Sequence, residues 1–109
     1  MSDVVIKESK ESVLGRRVFA DKNFKEGERV IKYNLKPLTP QDYQKLPTGE
    51  KKFTHQHYGK IYLYSSPERY VNHSANPNTI QDLRKKCDIA KQEIKKGEEI
   101  TTDSSKDDI

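Results

Sequence analysis

The chain has one cysteine, Cys87, in 109 residues. That excludes an internal disulfide framework and any zinc site built from several cysteines. Large aliphatic and aromatic content is also low. Leu, Ile, Val and Phe together number 23, just over a fifth of the chain, near the composition at which disorder sets in. These residues fall in short clusters separated by turn residues, which predicts a folded domain with a thin core, helped by ligand or partner binding. No apolar run is long enough to cross a membrane as a helix. Met1-Ser2-Asp3 lacks the basic and apolar regions of a signal peptide, so an intracellular protein is expected. Charge of one sign is not concentrated either. The net charge is +4 with 35% charged residues, but Lys and Arg alternate with Asp and Glu. Arg84-Lys85-Lys86 is the one tight basic triplet, and a solvated loop accounts for it. Direct nucleic-acid binding is not expected.

Most of the chain reads as short strands punctuated by turns. Val4-Val5-Ile6 is β-rich. Val13 to Ala20 reads as a turn at Gly15 followed by a strand, and Arg29 to Tyr33 as a strand after the Lys25–Glu28 turn. Lys60 to Tyr64 alternates, with Ile61 and Leu63 on one face and Tyr62 and Tyr64 on the other. Thr79 to Leu83 and Cys87 to Ala90 read as two strands joined by the basic loop. One helix start is clear, at Thr39-Pro40-Gln41-Asp42, with a Thr cap, Pro in the first turn and an acid near the dipole. Pro47 and Gly49 are expected to end it, leaving Glu50-Lys51-Lys52 in an undefined polar stretch. Pro67 to Tyr70 is expected to form one helical turn. Asp103 to Ile109 reads as a polar, frayed tail. The expectation is a mostly-β fold in one domain, residues 1–109, without linkers or low-complexity segments.

Two patterns stand out. Ala20-x-x-x-Phe24-Lys25-x-Gly27-Glu28-x-Val30 recurs as Ala90-x-x-x-Ile94-Lys95-x-Gly97-Glu98-x-Ile100. Between the copies lies Arg69-Tyr70-Val71-Asn72-His73-Ser74, followed by Asn76-Pro77-Asn78. Its Asn, His and Ser side chains both donate and accept hydrogen bonds, which suits either a self-bonded loop or a ligand of mixed polarity. His55 and His57 are two residues apart, but no acid or cysteine at convincing spacing completes a metal site, and none is expected. Cys87 reads as a small core residue rather than a nucleophile. Glu98 and Glu99 are neighbours on a strand, so they face opposite ways and do not form an acid–base pair.

Four ordered blocks carry a resemblance. Gly15-Arg16-Arg17-Val18-Phe19-Ala20 resembles a G-x-G-V-F-A element, and Phe24 to Glu28 the turn after it. Arg69 to Asn78 resembles R-F-x-N-H-S-x-x-P-N. Ile94 to Asp103 resembles I-K-x-G-E-E-(L/I)-T-x-D-Y. These are blocks of the SET domain family of protein-lysine methyltransferases, in order, from about Leu14 to Asp103. The resemblance implies several small curved sheets with a knot-like crossing, in which the C-terminal segment passes under the Asn-His-Ser loop. It implies S-adenosylmethionine against Gly15, Arg16 and Arg17 and the Asn72-His73 pair, with Arg69 near the cofactor carboxylate. It implies methyl transfer to a lysine of a protein substrate, through alignment and exclusion of water in a narrow channel shaped by tyrosine hydroxyls.

The chain departs from the family pattern at several places. Ser104 occupies the position of the closing tyrosine. A serine hydroxyl is too short to reach the same point, so another tyrosine would have to serve. Tyr58, Tyr62, Tyr64 and Tyr70 are the candidates, and Tyr62 is preferred because its strand precedes the Asn-His-Ser loop. Arg17 replaces the second glycine and either crowds the cofactor or turns outward. Ala75 stands where many members carry a zinc-cluster cysteine, in keeping with a small stand-alone member. Two readings follow: a lysine methyltransferase using S-adenosylmethionine, or a non-catalytic SET-fold module that binds a partner.

Overall fold

A computed structural model describes residues 3–10, 15–57 and 59–103. Val13, Leu14, Tyr58, Ser104 and the expected tail to Ile109 lie outside them. Ten strands and two short helices follow in the order β1 (Val4–Glu8), β2 (Arg16–Ala20), β3 (Arg29–Lys32), β4 (Lys36–Leu38), α1 (Pro40–Lys45), α2 (Thr48–Lys51), β5 (Thr54–His57), β6 (Lys60–Leu63), β7 (Asn72–His73), β8 (Thr79–Asp82), β9 (Cys87–Ala90) and β10 (Thr101–Thr102). They form four small sheets: β1-β2, β3-β9-β8, β4-β6-β5, and β7 parallel to β10. The mostly-β expectation holds. None of the described helices is long and apolar enough to cross a membrane.

The sequence repeat is a structural repeat, and its two copies dock on each other. Phe24 and Ile94 face one another as an antiparallel bridge and exchange backbone hydrogen bonds of 2.7 and 2.9 Å. The Gly27 N–H donates to Ala90 O and the Gly97 N–H to Ala20 O, both at 2.8 Å. The Ala90 N–H donates to Glu28 O and the Ala20 N–H to Glu98 O, again both at 2.8 Å. Each turn therefore caps the strand that leads into the other copy. Within each turn the acid does the same work: Glu28 Oε1 accepts from the Lys25 N–H and Glu98 Oε1 from the Lys95 N–H. Phe24, Ile94 and Ile100 are 1%, 0% and 0% exposed. They sit at the centre of a core completed by Val4, Val18, Ala20, Val30, Ile31, Tyr33, Val71 and Ala90. Burying side chains of this size is worth about 1.5–3 kcal/mol each, so a core this small depends on every one of them.

The crossing follows from the second turn. After Gly97 the chain runs beside β2, with Glu99 opposite Phe19 and the Ile100 N–H donating to Val18 O at 2.8 Å. It then pairs with β7 in parallel, Thr101 with Asn72 and Thr102 with His73. Asn78 fastens it. Its Nδ2 donates to Glu99 O at 2.8 Å and its Oδ1 accepts from the Thr101 N–H at 2.9 Å. The Thr79 hydroxyl adds a bond to Thr101 O at 2.7 Å.

The Lys36–Lys60 region departs from expectation. α1 forms as read, with a full capping box between Thr39 and Asp42. Pro47 ends it but also starts a new turn, so Thr48–Lys51, Gly49 included, is helical. Proline has no N–H to lose at a helix start, so the same residue ends one helix and opens the next. Two short strands, β4 and β5, flank β6. β4 carries Pro37 on an outer strand, the position a sheet tolerates.

Gly27 and Gly97 take φ of +88° and +94°, and a Cβ on either meets nothing within 4 Å. Alanine there would be strained by backbone conformation alone, so Gly27→Ala and Gly97→Ala should each cost about 1–2 kcal/mol. Urea denaturation should give the two variants the same loss. Asn78→Ala should cost more, about 2–4 kcal/mol, because it strands two backbone groups of the crossing.

Candidate active site

Three remote segments meet at Glu99. β2 brings Arg17, β7 brings Asn72, and the crossing segment lies between them. Because Glu99 is opposite Phe19, it shares a face with Arg17 two residues away, the diagonal position in an antiparallel pair. Arg17 Nη1 lies 3.3 Å from Glu99 Oε1, and Asn72 Nδ2 donates to Glu99 Oε2 at 2.9 Å. The Arg17 and Glu99 side chains are 30% and 24% exposed, so the cluster is reachable from solvent yet partly desolvated. Arg17 is thus paired with Glu99. With Nδ2 on Glu99, the acceptor end of the Asn72 amide is directed away from that carboxylate. Glu98 and Glu99 do face opposite ways, one into its turn and one into this cluster. No local sequence signal marks Glu99 for this role, since its partners lie 82 and 27 residues away.

An open cleft of about 470 Å³ adjoins the cluster's strand, lined by Glu8, Ser9, Lys10, Gly15 and Arg16. The Arg16 guanidinium lies 5.3 Å from the centre of the Tyr70 ring, two residues before Asn72. His73 Nδ1 is 3.7 Å from the Asp103 carboxylate at the end of the crossing.

Arg69 is engaged elsewhere. Its guanidinium forms a two-pronged ion pair with Glu50, at 3.0 and 3.3 Å, and stacks 4.3 Å from the Phe53 ring centre. Its Nε donates to Tyr64 O at 2.8 Å. These partners anchor the 3-10 turn Glu68–Tyr70 that leads into Asn72. Glu68 anchors the same turn from within: its Oε2 accepts from the N–H groups of Asn34 and Ser65 at 2.7 and 3.3 Å. Burial pushes the Glu68 carboxyl up, against those donors and the nearby Arg69 charge.

Tyr62 is placed in a different cavity, with Leu35, His57, Lys60, Leu83 and Lys86. None of Gly15, Arg16, Arg17, Asn72 or His73 lines it. Tyr62 and Tyr64 share a face, as the alternation implies, and both rings lie against His57, at 5.6 and 5.9 Å. His57 is buried and its Nε2 pairs with the Tyr64 hydroxyl at 2.8 Å. Among the described residues no three His, Cys, Asp or Glu side chains are arranged to hold a metal ion. Cys87 is buried, and burial pushes its thiol up, which suits a core role.

The SET domain family model matches residues 15–103. The chain belongs to the SET domain family. No curated protein sequence matches it. Among solved structures, a Plasmodium falciparum protein assigned as a histone methyltransferase superposes with a TM-score of 0.71 at 17% identity, covering 94% of this chain and 93% of that one. A humanized mutant of Chaetomium thermophilum Polycomb Repressive Complex 2, bound to the inhibitor GSK343, gives 0.77 at 21% identity. The match covers 99% of this chain but 16% of that one. The Chaetomium complex in an autoinhibited conformation bound to S-adenosylmethionine gives 0.72 at 20% identity, over 97% of this chain and 15% of that one. At these identities the likeness is one of fold. This SET domain spans about a sixth of the Chaetomium chains, and nearly all of the Plasmodium one.

The Glu68 shift fixes a pH dependence. A raised native pKa means the folded state holds the proton more tightly than the unfolded chain. Glu68's contribution to stability is then greatest below its ordinary value of 4.5 and falls as pH rises through the raised native value. Urea titrations at a series of pH values should show this fall, and Glu68→Gln should remove it.

Proposed function

We propose that this chain is a protein-lysine N-methyltransferase using S-adenosylmethionine, with the cofactor held between Gly15–Arg17 and Asn72–His73. The observation that carries the reading is the Arg17–Glu99–Asn72 cluster at the crossing. It gathers a cation, a carboxylate and an oriented amide, and the neighbouring residues Gly15 and Arg16 line an open cleft. S-adenosylmethionine presents an amine, a carboxylate, a ribose and an adenine edge, and needs a site of that mixed polarity. The cleft volume of about 470 Å³ lies in the range of roughly 300–1,000 Å³ that suits a ligand of this size. When bound, the cofactor supplies an electrophilic methyl group for transfer to an amine.

The chain's own residues bind and orient. Asn72 offers an amide whose direction Glu99 fixes. The Gly15 to Arg17 backbone forms the opposing wall, and Arg17 balances the Glu99 charge so that an anionic end of the ligand is not repelled. Arg69 contributes through position: locked to Glu50, it fixes the turn before Asn72. The substrate class is a lysine-containing protein, the class on which the family acts.

Calorimetric titration of the chain with S-adenosylmethionine should show saturable binding. Asn72→Ala should weaken it at least about tenfold, the loss for one hydrogen bond to a charged group. Arg69→Met should lower stability and, by loosening the turn before Asn72, weaken binding less than Asn72→Ala does. A folded chain that binds no cofactor would refute the reading. A second reading, cofactor binding without turnover, is favoured by Ser104 at the position of the family's closing tyrosine. Transfer of labelled methyl groups to lysine-bearing proteins separates the two. Wild-type activity lost with Asn72→Ala supports the enzyme, whereas an inert wild type activated by Ser104→Tyr supports the module.

A further inference from the structure

The cavity that holds Tyr62 has its own chemistry, independent of the methyltransferase reading. Its volume is about 220 Å³, below the roughly 300 Å³ at which drug-sized ligand sites begin. It suits a single ring or one side chain. Leu35 and Leu83 pack on the core and form apolar walls. The rings of His57 and Tyr62, 5.6 Å apart, form an aromatic surface, and His57 is 5% exposed with Nε2 on the Tyr64 hydroxyl. Lys60 and Lys86 supply two positive charges. Among the described residues the lining contains no carboxylate, and neither lysine has an ion-pair partner. The acids of the neighbouring strands are turned to other partners. Asp82 accepts from the N–H groups of Arg84 and Lys85, and Asp88 accepts from the Tyr33 hydroxyl.

Lys86 adds an independent observation. Its φ is +53°, and it is the one residue other than glycine with positive φ among the described residues. A left-handed lysine carries a backbone strain that glycine would avoid. Its carbonyl is fixed by the Tyr33 N–H at 2.8 Å, and its side chain lines the cavity. Backbone strain of this kind is kept where a side chain is needed.

We propose that this cavity binds a carboxylate carried on a small aromatic or apolar body. The ring lies against His57 and Tyr62, and the two carboxylate oxygens meet Lys60 and Lys86. The apolar and aromatic walls match the body of such an acid, and the two ammonium groups supply the charge for its anionic end. The group can come from a free aromatic acid or from a polypeptide with a C-terminal aromatic residue.

The test uses benzoate, benzylamine and a short peptide ending in phenylalanine, each titrated into the full chain and followed by amide chemical shifts. Benzoate should bind saturably, shifting Leu35, Tyr62 and Leu83, and benzylamine should bind at least tenfold more weakly. Lys60→Gln and Lys86→Gly should each weaken benzoate by roughly fivefold, the upper range for a partly exposed charge pair. Lys86→Gly should also raise Tm by relieving the left-handed backbone. Tighter binding of the peptide than of benzoate assigns the site to polypeptides; the reverse assigns it to free acids. No saturable binding of either acid overturns the proposal. So does equal affinity for benzoate and benzylamine, or unchanged affinity in both lysine variants.

Discussion

The structure depends on one reciprocal contact, the docking of two copies of an Ala-x-x-x-(Phe/Ile)-Lys-x-Gly-Glu turn. Each turn donates its glycine N–H to the alanine carbonyl of the other copy and accepts from that alanine's N–H. The apolar residue of each turn is the bridge partner of the other. Net hydrogen-bond contributions are about 0.5–1.5 kcal/mol apiece, so six such bonds and two buried side chains form a substantial share of what a small domain has. Neither turn can form its bonds alone. The N-terminal and C-terminal parts of the chain are therefore committed to fold together, through contacts some 70 residues apart in sequence.

That contact places the candidate site. Gly97 capping Ala20 sets the register of the chain beside β2, and the register sets Glu99 on the face of Arg17. The next residues reach β7, where Asn78 and Thr79 hold Thr101. Arg17, Asn72 and Glu99 are thus assembled by backbone pairing rather than by proximity in sequence. The Arg69–Glu50 ion pair and the buried Glu68 set the turn before Asn72 from the other side. A strained Lys86 and a buried His57 shape the second cavity.

Much of this was legible in the sequence. The four motif blocks gave the family and fold, and the repeat was visible as a pattern. Local signals worked where the physics is local, as in the Thr39–Asp42 capping box, the turns at Gly27 and Gly97, and the alternation of Lys60 to Tyr64. What the repeat meant was not legible, because the docking of one copy on the other is a tertiary fact. Glu99 carries no local signal for the same reason, and the pairing of Arg69 with Glu50 is hidden because Glu50 lies in a stretch without pattern. β4 and β5 are not legible because three or four residues of mixed polarity carry no period; pairing with β6 makes them strands. Ser104 lies outside the described residues, and Tyr62 stands with two lysines instead of with Asn72.

The most direct test of the central constraint is native-state amide hydrogen exchange. If the two turns form one cooperative unit, the N–H groups of Ala20, Gly27, Ala90 and Gly97 should exchange with one common opening free energy, equal to that of global unfolding. The crossing amides of Ile100 and Thr101 should share it. Faster exchange at Gly97, Ile100 and Thr101, with Gly27 and Ala90 still fully protected, would contradict the account. The C-terminal segment would then open by itself, and the repeat would not be what holds the site together.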